Sequence, residues 1–354
     1  MDVSTHDARP SAAAAPTPPV RIGVIGVGRI GRMHAELLAR RLPSATLAAV
    51  FDARAESATA IGAELDVPVT GSVAEMLAAP DIDAVAICTS TDTHADLIVE
   101  AARAGKAIFC EKPVSLDLET VDRALEAVEA AGVPFQIGFN RRFDPAHASV
   151  RAAVAAGRVG DPHLVRITSR DPAPPPLSYV RVSGGIFLDM TIHDFDMARY
   201  VTGTEVVEVY ARGAVRVDPS FAEADDVDTA MVVLVHEDGC MTSIDNSRRA
   251  AYGYDQRVEV FGSEGLAASE NPLAHTGIVR SAEGTREAEL PYFYLERYTA
   301  SYVHEWEAFV AALVAGETPP VTTADARAPL VIGLAAWRSL REGRPVRLDE
   351  MAAA

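Results

Sequence analysis

Short apolar runs alternate with stretches of helical spacing over the first 140 residues of the chain. The apolar runs cover residues 21–25, 46–52, 83–89, 106–113 and 134–140, and the helical stretches cover 30–41, 54–64, 72–79, 92–104 and 117–131. Strands that are apolar along their whole length and alternate with helices are typical of a parallel sheet covered on both faces. The pattern therefore predicts a doubly wound α/β domain over residues 20–140.

After residue 140 the predicted strands become longer, and apolar and polar positions alternate along them. Beyond a predicted helix at 144–156, the alternating runs are EVVEVYARGAVRV (205–217), TAMVVLVHE (229–237) and QRVEVFGSEG (256–265). Short turns between such runs are typical of an open, predominantly antiparallel sheet with one face uncovered. We predict an α+β domain over residues 141–323 and a C-terminal helical segment over 324–348 that packs back on the body.

Composition and charge exclude several classes of protein. Residues 1–19 contain five Ala and four Pro without the apolar centre of a secretory signal, so we predict a disordered tail. No apolar run approaches the ~20 residues of a membrane helix. Fifty Asp and Glu against 32 Lys and Arg give a net charge of −18, which argues against nucleic-acid binding. Cys88, Cys110 and Cys240 form no CxxC pair and indicate reduced core residues, so we expect a soluble cytoplasmic protein.

A glycine-rich turn links the first predicted strand to the first helix. Gly26, Gly28 and Gly31 have the spacing G-x-G-x-x-G, which permits a tight turn, the approach of backbone to a pyrophosphate, and close packing of helix on strand. The helix N-terminus, at Arg29 and Ile30, attracts phosphate charge. A purely structural turn is the alternative interpretation.

Asp52 ends the next predicted strand, 21 residues after the last glycine of the turn. A carboxylate there bonds the ribose hydroxyls of NAD and repels the 2′-phosphate of NADP, although Arg54 could accommodate that phosphate. Thr89 and Ser90 lie at the carboxyl end of the apolar run at 83–89, where open α/β sheets bind ligands, and a role in capping the next helix is equally compatible with this position. We therefore predict a Rossmann domain that binds NAD through these residues.

A lysine follows the fourth predicted strand in the segment Glu111-Lys112-Pro113. At the carboxyl end of a parallel strand, Glu111 and Lys112 face the cofactor crevice, and the ammonium of Lys112 can hold an alcohol oxygen. An exposed lysine without a role is the alternative.

Asp189 and His193 lie four residues apart, which places both on one face of a helix. A carboxylate beside an imidazole orients it and keeps its pKa at or above the ordinary ~6.5, as a general base for a hydroxyl proton requires. A metal site and a structural histidine are the alternatives, and a metal is disfavoured because two ligands lack a third at usual spacing. In Asn140-Arg141-Arg142, polar side chains could bind substrate hydroxyls or form ion pairs between the domains.

Taken together, these segments resemble the Gfo/Idh/MocA family, the glucose-fructose oxidoreductase and inositol dehydrogenase group, from Val20 to about Leu348. Within the family the likeness is to bacterial inositol 2-dehydrogenases, through the segments GFNRRFDPAH (138–147), SGGIFLDMTIHDFDMARYVTG (183–203) and NSRRAAYGYDQRVEVFGSEG (246–265). The resemblance implies a Rossmann domain followed by a substrate-binding and oligomerisation domain with an open sheet. The proline-rich segment at 169–181 matches no fixed family pattern.

The resemblance also implies an activity and the residues that perform it. Lys112, Asp189 and His193 would carry catalysis, and Arg142 and Tyr254 would line the substrate pocket together with them. The expected reaction is NAD-dependent oxidation of a cyclic polyol, myo-inositol to scyllo-inosose, without a metal. Oxidation of another inositol isomer or sugar, hydrolysis by an NAD-retaining glycosidase, and nucleotide sensing without catalysis are the alternatives. Burial of the open sheet face against a second copy predicts a homo-oligomer, a tetramer.

Overall fold

Two β-sheets with helices packed on them dominate the part of the chain that the computed structural model describes, residues 19–352. The predicted disordered tail, residues 1–19, lies outside the described residues except for Pro19. Within residues 19–352, no helix combines the length and the apolar character that crossing a membrane requires. The three cysteines are buried and unpaired, as predicted.

The first sheet is parallel, with the strand order β2-β1-β3-β4-β5. Its strands are β1 (Val20–Ile25), β2 (Ala45–Phe51), β3 (Ala84–Ile87), β4 (Ala107–Glu111) and β5 (Phe135–Gly138). The helices between and beside them are α1 (Arg29–Arg40), α2 (Ala55–Leu65), α3 (Val73–Ala78), α4 (Thr91–Arg103) and α5 (Leu118–Ala131). Because helices cover both faces, β3, β4 and β5 are buried at every residue. The predicted doubly wound sheet is confirmed, and its strand order reverses between β1 and β3, where such sheets bind ligands.

The second sheet is mostly antiparallel, with the strand order β11-β10-β6-β9-β8-β7-β14. Its strands are β6 (Pro162–Arg170), β7 (Val206–Ala214), β8 (Thr229–His236), β9 (Met241–Ser247), β10 (Asp255–Gly262), β11 (Leu266–Ser269) and β14 (Val346–Arg347), and β12 (Val279–Ser281) pairs with β13 (Gly284–Arg286) in a separate hairpin. Only the β6–β9 pair within this seven-stranded sheet is parallel. The predominantly antiparallel sheet predicted from the alternating pattern is confirmed.

Besides two short 3₁₀ helices, Asn140–Phe143 and Pro219–Ala224, seven α-helices follow β5 in the described chain: α6 (Pro145–Ala155), α7 (Leu177–Val180), α8 (Gly185–Asp189), α9 (Ile192–Thr202), α10 (Tyr294–Ala315), α11 (Thr323–Glu342) and α12 (Asp349–Ala352). Phe187 and Phe195, from α8 and α9, belong to the core beneath the second sheet. Helix α10 instead packs Trp306 on Phe109 of β4, with ring centroids 4.3 Å apart. Helix α10 therefore joins the core of the first sheet, although it follows strands β6 to β11 of the second sheet in the sequence.

Candidate active site

The glycine turn between β1 and α1 has a different physical requirement at each glycine. Gly26 has a φ of +87°, which L side chains rarely adopt, and a methyl group at Gly31 would collide with the carbonyl oxygen of Gly26. A methyl group at Gly28 would meet nothing within 4 Å among the described residues. Gly28 is also the N-cap of α1, and no side chain of the described protein caps it. Open space beside an uncapped helix N-terminus fits a pyrophosphate.

Asp52 is held at this turn by two backbone N–H groups. Its Oδ2 accepts a hydrogen bond from Val27 at 2.9 Å, and its Oδ1 accepts one from Arg54 at 2.8 Å. The side chain of Asp52 is 11% exposed, whereas that of Arg54 is 75% exposed and its Nε lies 3.8 Å from Oδ1. The carboxylate is therefore fixed where the ribose of a dinucleotide on this turn would lie, which favours NAD over NADP.

Thr89 and Ser90 lie beside the glycine turn, at the carboxyl end of β3. The Cα atom of Thr89 would be 2.9 Å from a methyl group at Gly26, which shows how closely the two segments approach. The hydroxyl of Thr89 bonds that of Thr93 at 2.6 Å. Ser90 is the N-cap residue of α4, but its exposed hydroxyl makes no capping bond to any described residue. Both residues border the predicted cofactor crevice, and their contact with NAD stays a prediction.

Glu111 has partners inside the protein. Its Oε1 lies 2.7 Å from Nε2 of His34, and the indole N–H of Trp306 donates to Nδ1 of His34 at 2.9 Å. Because an indole nitrogen only donates, Nδ1 accepts and Nε2 carries the proton that it donates to Glu111. This buried chain connects α10, α1 and β4, and contact of Glu111 with the cofactor stays a prediction.

Lys112 and Asp189 come together from the two parts of the fold. The Nζ atom of Lys112, just after β4, donates to the backbone carbonyl of Asp189 at 2.8 Å and lies 3.7 Å from its carboxylate Oδ1. Only 15% of the Lys112 side chain and 12% of that of Asp189 is exposed. An ammonium carries three N–H donors, so the bond to the carbonyl leaves two for a substrate oxygen.

The predicted pairing of Asp189 with His193 on one helix face is wrong. Helix α8 ends at Asp189, and α9 begins at Ile192. Asp189 accepts hydrogen bonds from the hydroxyl of Tyr179 at 2.8 Å and from the guanidinium of Arg248 at 2.9 Å, not from His193. The buried Nδ1 of His193 has no hydrogen-bond partner in residues 19–352. The break between the helices and the two stronger donors together explain the difference.

The protonation states of the two residues follow from these surroundings. Burial, together with the positive charges of Lys112 and Arg141, holds the pKa of His193 well below its ordinary value. The expectation of a pKa at or above ~6.5 is therefore wrong. Burial by itself raises the pKa of Asp189, but Arg248, Lys112 and the hydroxyl of Tyr179 bring it below its usual value. The site thus combines a neutral imidazole with an ionised carboxylate.

Of the two neighbouring arginines after β5, the structure places Arg142 in an ion-pair network. Its guanidinium lies 2.6 Å from Asp196 and 2.8 Å from Asp325, which is the ion pairing that the sequence left as the alternative to substrate binding. Arg141, not Arg142, is the arginine whose positive charge lowers the pKa of His193. The sequence analysis names Arg141 as one of the polar residues of this segment but expects Arg142, beside it, to line the substrate pocket.

Arg141 and Tyr254 lie together in a buried polar group. Arg141 is 2.7 Å from Asp194 and donates to the hydroxyl of Tyr254 at 3.5 Å. Tyr254 is 6% exposed, and burial raises the pKa of its hydroxyl above the usual value. A neutral phenol beside a fixed guanidinium can present both donor and acceptor atoms to a hydroxylated ligand.

Two further residues of the site, Tyr179 and Arg248, were not identified from the sequence. Tyr179 belongs to the proline-rich segment that matches no family pattern, and Arg248 belongs to the segment NSRR at the end of β9. Tyr179 is 10 residues from Asp189 and Arg248 is 59 residues from it. Neither separation is a helical or strand spacing, so the sequence pattern does not connect them with Asp189. Within residues 19–352 no group of three or more His, Cys, Asp or Glu side chains is arranged to hold a metal ion.

Known proteins resemble the chain over almost its whole length. A family model described as "Oxidoreductase family, NAD-binding Rossmann fold" matches residues 20–139, and the model of the GFO/IDH/MocA C-terminal domain matches residues 147–268. The chain is 49% identical to myo-inositol 2-dehydrogenase of Thermotoga maritima, over 94% of this chain and 99% of that one. It is 46% identical to inositol 2-dehydrogenase of Rhizobium meliloti, over 93% and 99% of the two chains.

A solved structure adds a bound cofactor to the comparison. Scyllo-inositol dehydrogenase of Lactobacillus casei, with bound NAD(H) and scyllo-inositol, superimposes with a TM-score of 0.87 at 30% identity, over 94% of this chain and 99% of that one. The resemblance inferred from the glycine turn, the Glu-Lys-Pro segment and the Asp189–His193 segment is confirmed by both kinds of comparison. The chain belongs to the Gfo/Idh/MocA family of oxidoreductases, with an NAD-binding Rossmann domain.

Proposed function

We propose that the protein oxidises a cyclic polyol with NAD, and that the reaction is conversion of myo-inositol at C2 to scyllo-inosose. The observation that carries the proposal is the meeting of Lys112 with Asp189 beside the neutral imidazole of His193. The inositol dehydrogenases among its relatives support the choice of substrate.

His193 is proposed as the general base. The residue is half-buried and its Nδ1 is the inaccessible ring nitrogen, which leaves Nε2 to take the hydroxyl proton. A base must be unprotonated to act, and the lowered pKa of His193 provides that state at neutral pH. A weakly basic imidazole needs help to remove an alcohol proton, and the nearby ammonium of Lys112 supplies it.

Lys112 is proposed to hold the reacting oxygen. As the hydroxyl loses its proton, negative charge grows on that oxygen, and a fixed ammonium in a partly buried site stabilises it strongly. NAD, when bound, would supply the hydride acceptor, which is C4 of its nicotinamide. The glycine turn and Asp52 would hold the cofactor, while Asp189 and Tyr254 would bind the remaining hydroxyls of the substrate.

A polyol panel tests this proposal. Purified protein with NAD is expected to form NADH, measured by absorbance, most rapidly with myo-inositol, and kcat/KM with NAD should exceed that with NADP. Faster turnover of another inositol isomer or sugar would show that the assigned substrate is wrong, while the assigned reaction, oxidation with NAD, would stand. Release of a free sugar from a glycoside, without net NADH, would support the glycosidase instead, and NAD binding without turnover of any substrate would support nucleotide sensing.

The proposal includes a homo-oligomer, a tetramer, formed through the second sheet. A row of apolar side chains crosses its outer face in register, with Leu266 opposite Phe261, Phe261 opposite Leu164, and Leu164 opposite Met241. Each of the four is at least 45% exposed. A continuous apolar surface of this kind is typical of an interface. The buried, unpaired cysteines support the predicted cytoplasmic location.

A further inference from the structure

Arg248 connects two carboxylates beneath the active site. It follows β9 and is 3% exposed. One terminal nitrogen of its guanidinium donates to Oδ2 of Asp171 at 3.2 Å, and the other donates to Oδ2 of Asp189 at 2.9 Å. Its backbone N–H donates to the carbonyl of Asp228 at 2.8 Å, which fixes the start of the side chain. A planar guanidinium tied at both ends holds its partners in one geometry.

The groups around Asp189 come from several elements. Two are the cations Lys112 and Arg248. The others are two carboxyls and two hydroxyls, those of Asp171 after β6, Asp226 before β8, Tyr179 of α7 and Tyr294 of α10. Burial raises the pKa of both Asp171 and Asp226, although the charge of Arg248 acts in the opposite direction on each. The guanidinium lies closer to the carboxylate of Asp189, at 2.9 Å, than to that of Asp171, at 3.2 Å.

Of the two cations, Arg248 is the one that hydrogen-bonds the carboxylate. The ammonium of Lys112 lies 3.7 Å from Oδ1 of Asp189, beyond hydrogen-bond distance, and donates to the backbone carbonyl instead. Arg248 binds Oδ2, while Oδ1 accepts only from the hydroxyl of Tyr179 among the described hydrogen bonds. Tyr179 lies in the four-residue helix α7 and is 47% exposed, so its hydroxyl reaches Asp189 from the solvent side.

We propose that Arg248 is a positioning residue that holds Asp189 by Oδ2 and directs Oδ1 toward the pocket, where the Tyr179 hydroxyl occupies the place of a substrate hydroxyl. A phenol and a polyol both offer a neutral O–H donor, so a substrate hydroxyl can replace Tyr179 at Oδ1 with one hydrogen bond exchanged for another. This inference rests on the proposed polyol oxidation. It accounts for the hydrogen bonds that the carboxylate of Asp189 accepts from Arg248 and Tyr179.

Three variants of the full chain test the inference. R248M removes the charge and both hydrogen bonds, R248K keeps a charge without the planar fork, and R199M is the matched control. Arg199 is a buried arginine that also joins two carboxylates, at 2.6 Å from Glu205 and 3.0 Å from Asp325, and it belongs to neither the proposed catalytic nor binding residues. Thermal unfolding and calorimetric titration with NAD establish that each variant is folded and binds the cofactor.

The pH profile separates positioning from a merely structural role. In R248M we expect kcat/KM for myo-inositol to fall about 10- to 100-fold, the effect of one charge-assisted hydrogen bond, with NAD affinity unchanged. In the wild type the acid limb belongs to His193. In R248M the pKa of Asp189 should rise with the loss of its arginine, so protonation of Asp189 would also remove activity and the limb should move to higher pH. R248K should restore the acid limb but not kcat, and R199M should change neither. Wild-type kcat/KM and an unmoved acid limb in folded R248M would overturn the proposal; if R248M does not fold, wild-type kcat in R248K would do so.

Crystal structures of the variants decide the inference independently of turnover. We expect the Asp189 carboxylate to rotate toward Lys112 in R248M or R248K and to stay in place in R199M. An unrotated carboxylate in both Arg248 variants would overturn the positioning role. If the wild type turns over no polyol, the proposed function fails, whereas this structural comparison still stands as the test of Arg248.

Discussion

His193 owes its protonation state to its neighbours in space. The imidazole is largely removed from water and lies near two cations, Lys112 and Arg141. Burial and both cations disfavour a positive charge on the imidazole ring. The imidazole therefore stays neutral over the ordinary working range of pH, and its role as a base does not need a carboxylate partner.

The pH dependence of oxidation follows from this state. A base with a lowered pKa is protonated only below that pKa, so kcat/KM should rise with pH on the acid side of ~6.5 and be level above it. Initial rates with saturating NAD from about pH 5 to 9 provide the measurement. H193Q should lower kcat by about 10²- to 10⁴-fold, the usual contribution of a general base. A wild-type rise centred between about pH 7 and 8 would show that another group, or a less buried His193, controls the reaction.

Lys112 offers a second test at the scale of single residues, and Lys106, which precedes β4 as Lys112 follows it, is the control. We expect K112A to bind NAD normally and to lose about 10²- to 10³-fold in kcat, because the ammonium acts on the charge that develops on the substrate oxygen. Lys106 lies at the opposite end of β4, where its Nζ donates to the carbonyls of Ala79 and Ile82 at 2.7 Å. K106A should therefore keep kcat even if it loses stability. Near-normal kcat in K112A would remove Lys112 from the mechanism.

At the scale of elements, the turn between β1 and α1 shows how one motif serves both folding and binding. Gly28 has an ordinary φ of −64° and open space beside it, whereas Gly31 packs against the carbonyl of Gly26. Folding therefore does not require glycine at position 28, whereas it does at position 31.

Alanine at these two positions should separate the two roles. We expect G28A to keep its thermal stability but to bind NAD more weakly, because the new methyl group enters the space that a pyrophosphate would use. G31A should lose about 1–3 kcal/mol of unfolding free energy, the usual result of overpacking. Thermal unfolding and calorimetric titration with NAD measure both effects. Unchanged NAD affinity in G28A would place the cofactor elsewhere.

The same elements show what a sequence can predict. The glycine turn and Asp52 were identified because the requirements of the turn are local and the strand that ends at Asp52 is apolar throughout. The Asp189–His193 pairing was predicted from a spacing that holds only in a continuous helix. Helix α8 instead ends at Asp189 and α9 begins at Ile192, and between them the hydroxyl of the buried Thr191 donates to Asn246 at 2.7 Å. That contact, like the bond from Arg248 to Asp189, crosses more than fifty residues and leaves no periodic signal.

At the scale of the whole molecule, the candidate site exists only where the two sheets meet. Lys112 comes from the first sheet, and Asp189 and His193 come from helices beneath the second. Helix α10 contacts both parts, because Trp306 packs on β4 and donates to His34 of α1, while the hydroxyl of Tyr298 lies 3.4 Å from Nε2 of His147 in α6. The catalytic geometry is thus a property of the assembled chain and not of either sheet alone.

The outer face of the second sheet is where assembly beyond one chain can be tested. Met241 is 45% exposed and lies opposite Leu164 within the apolar row, so M241E would place a charge where the proposed interface must be dry. We expect M241E to elute as a smaller species than the wild type in size-exclusion chromatography with light scattering, with its far-UV circular dichroism unchanged. Val279 is 65% exposed on the separate β12–β13 hairpin, so V279E should leave the mass unaltered. A wild-type protein that is itself monomeric, or an M241E variant with wild-type mass, would contradict an interface on this sheet face.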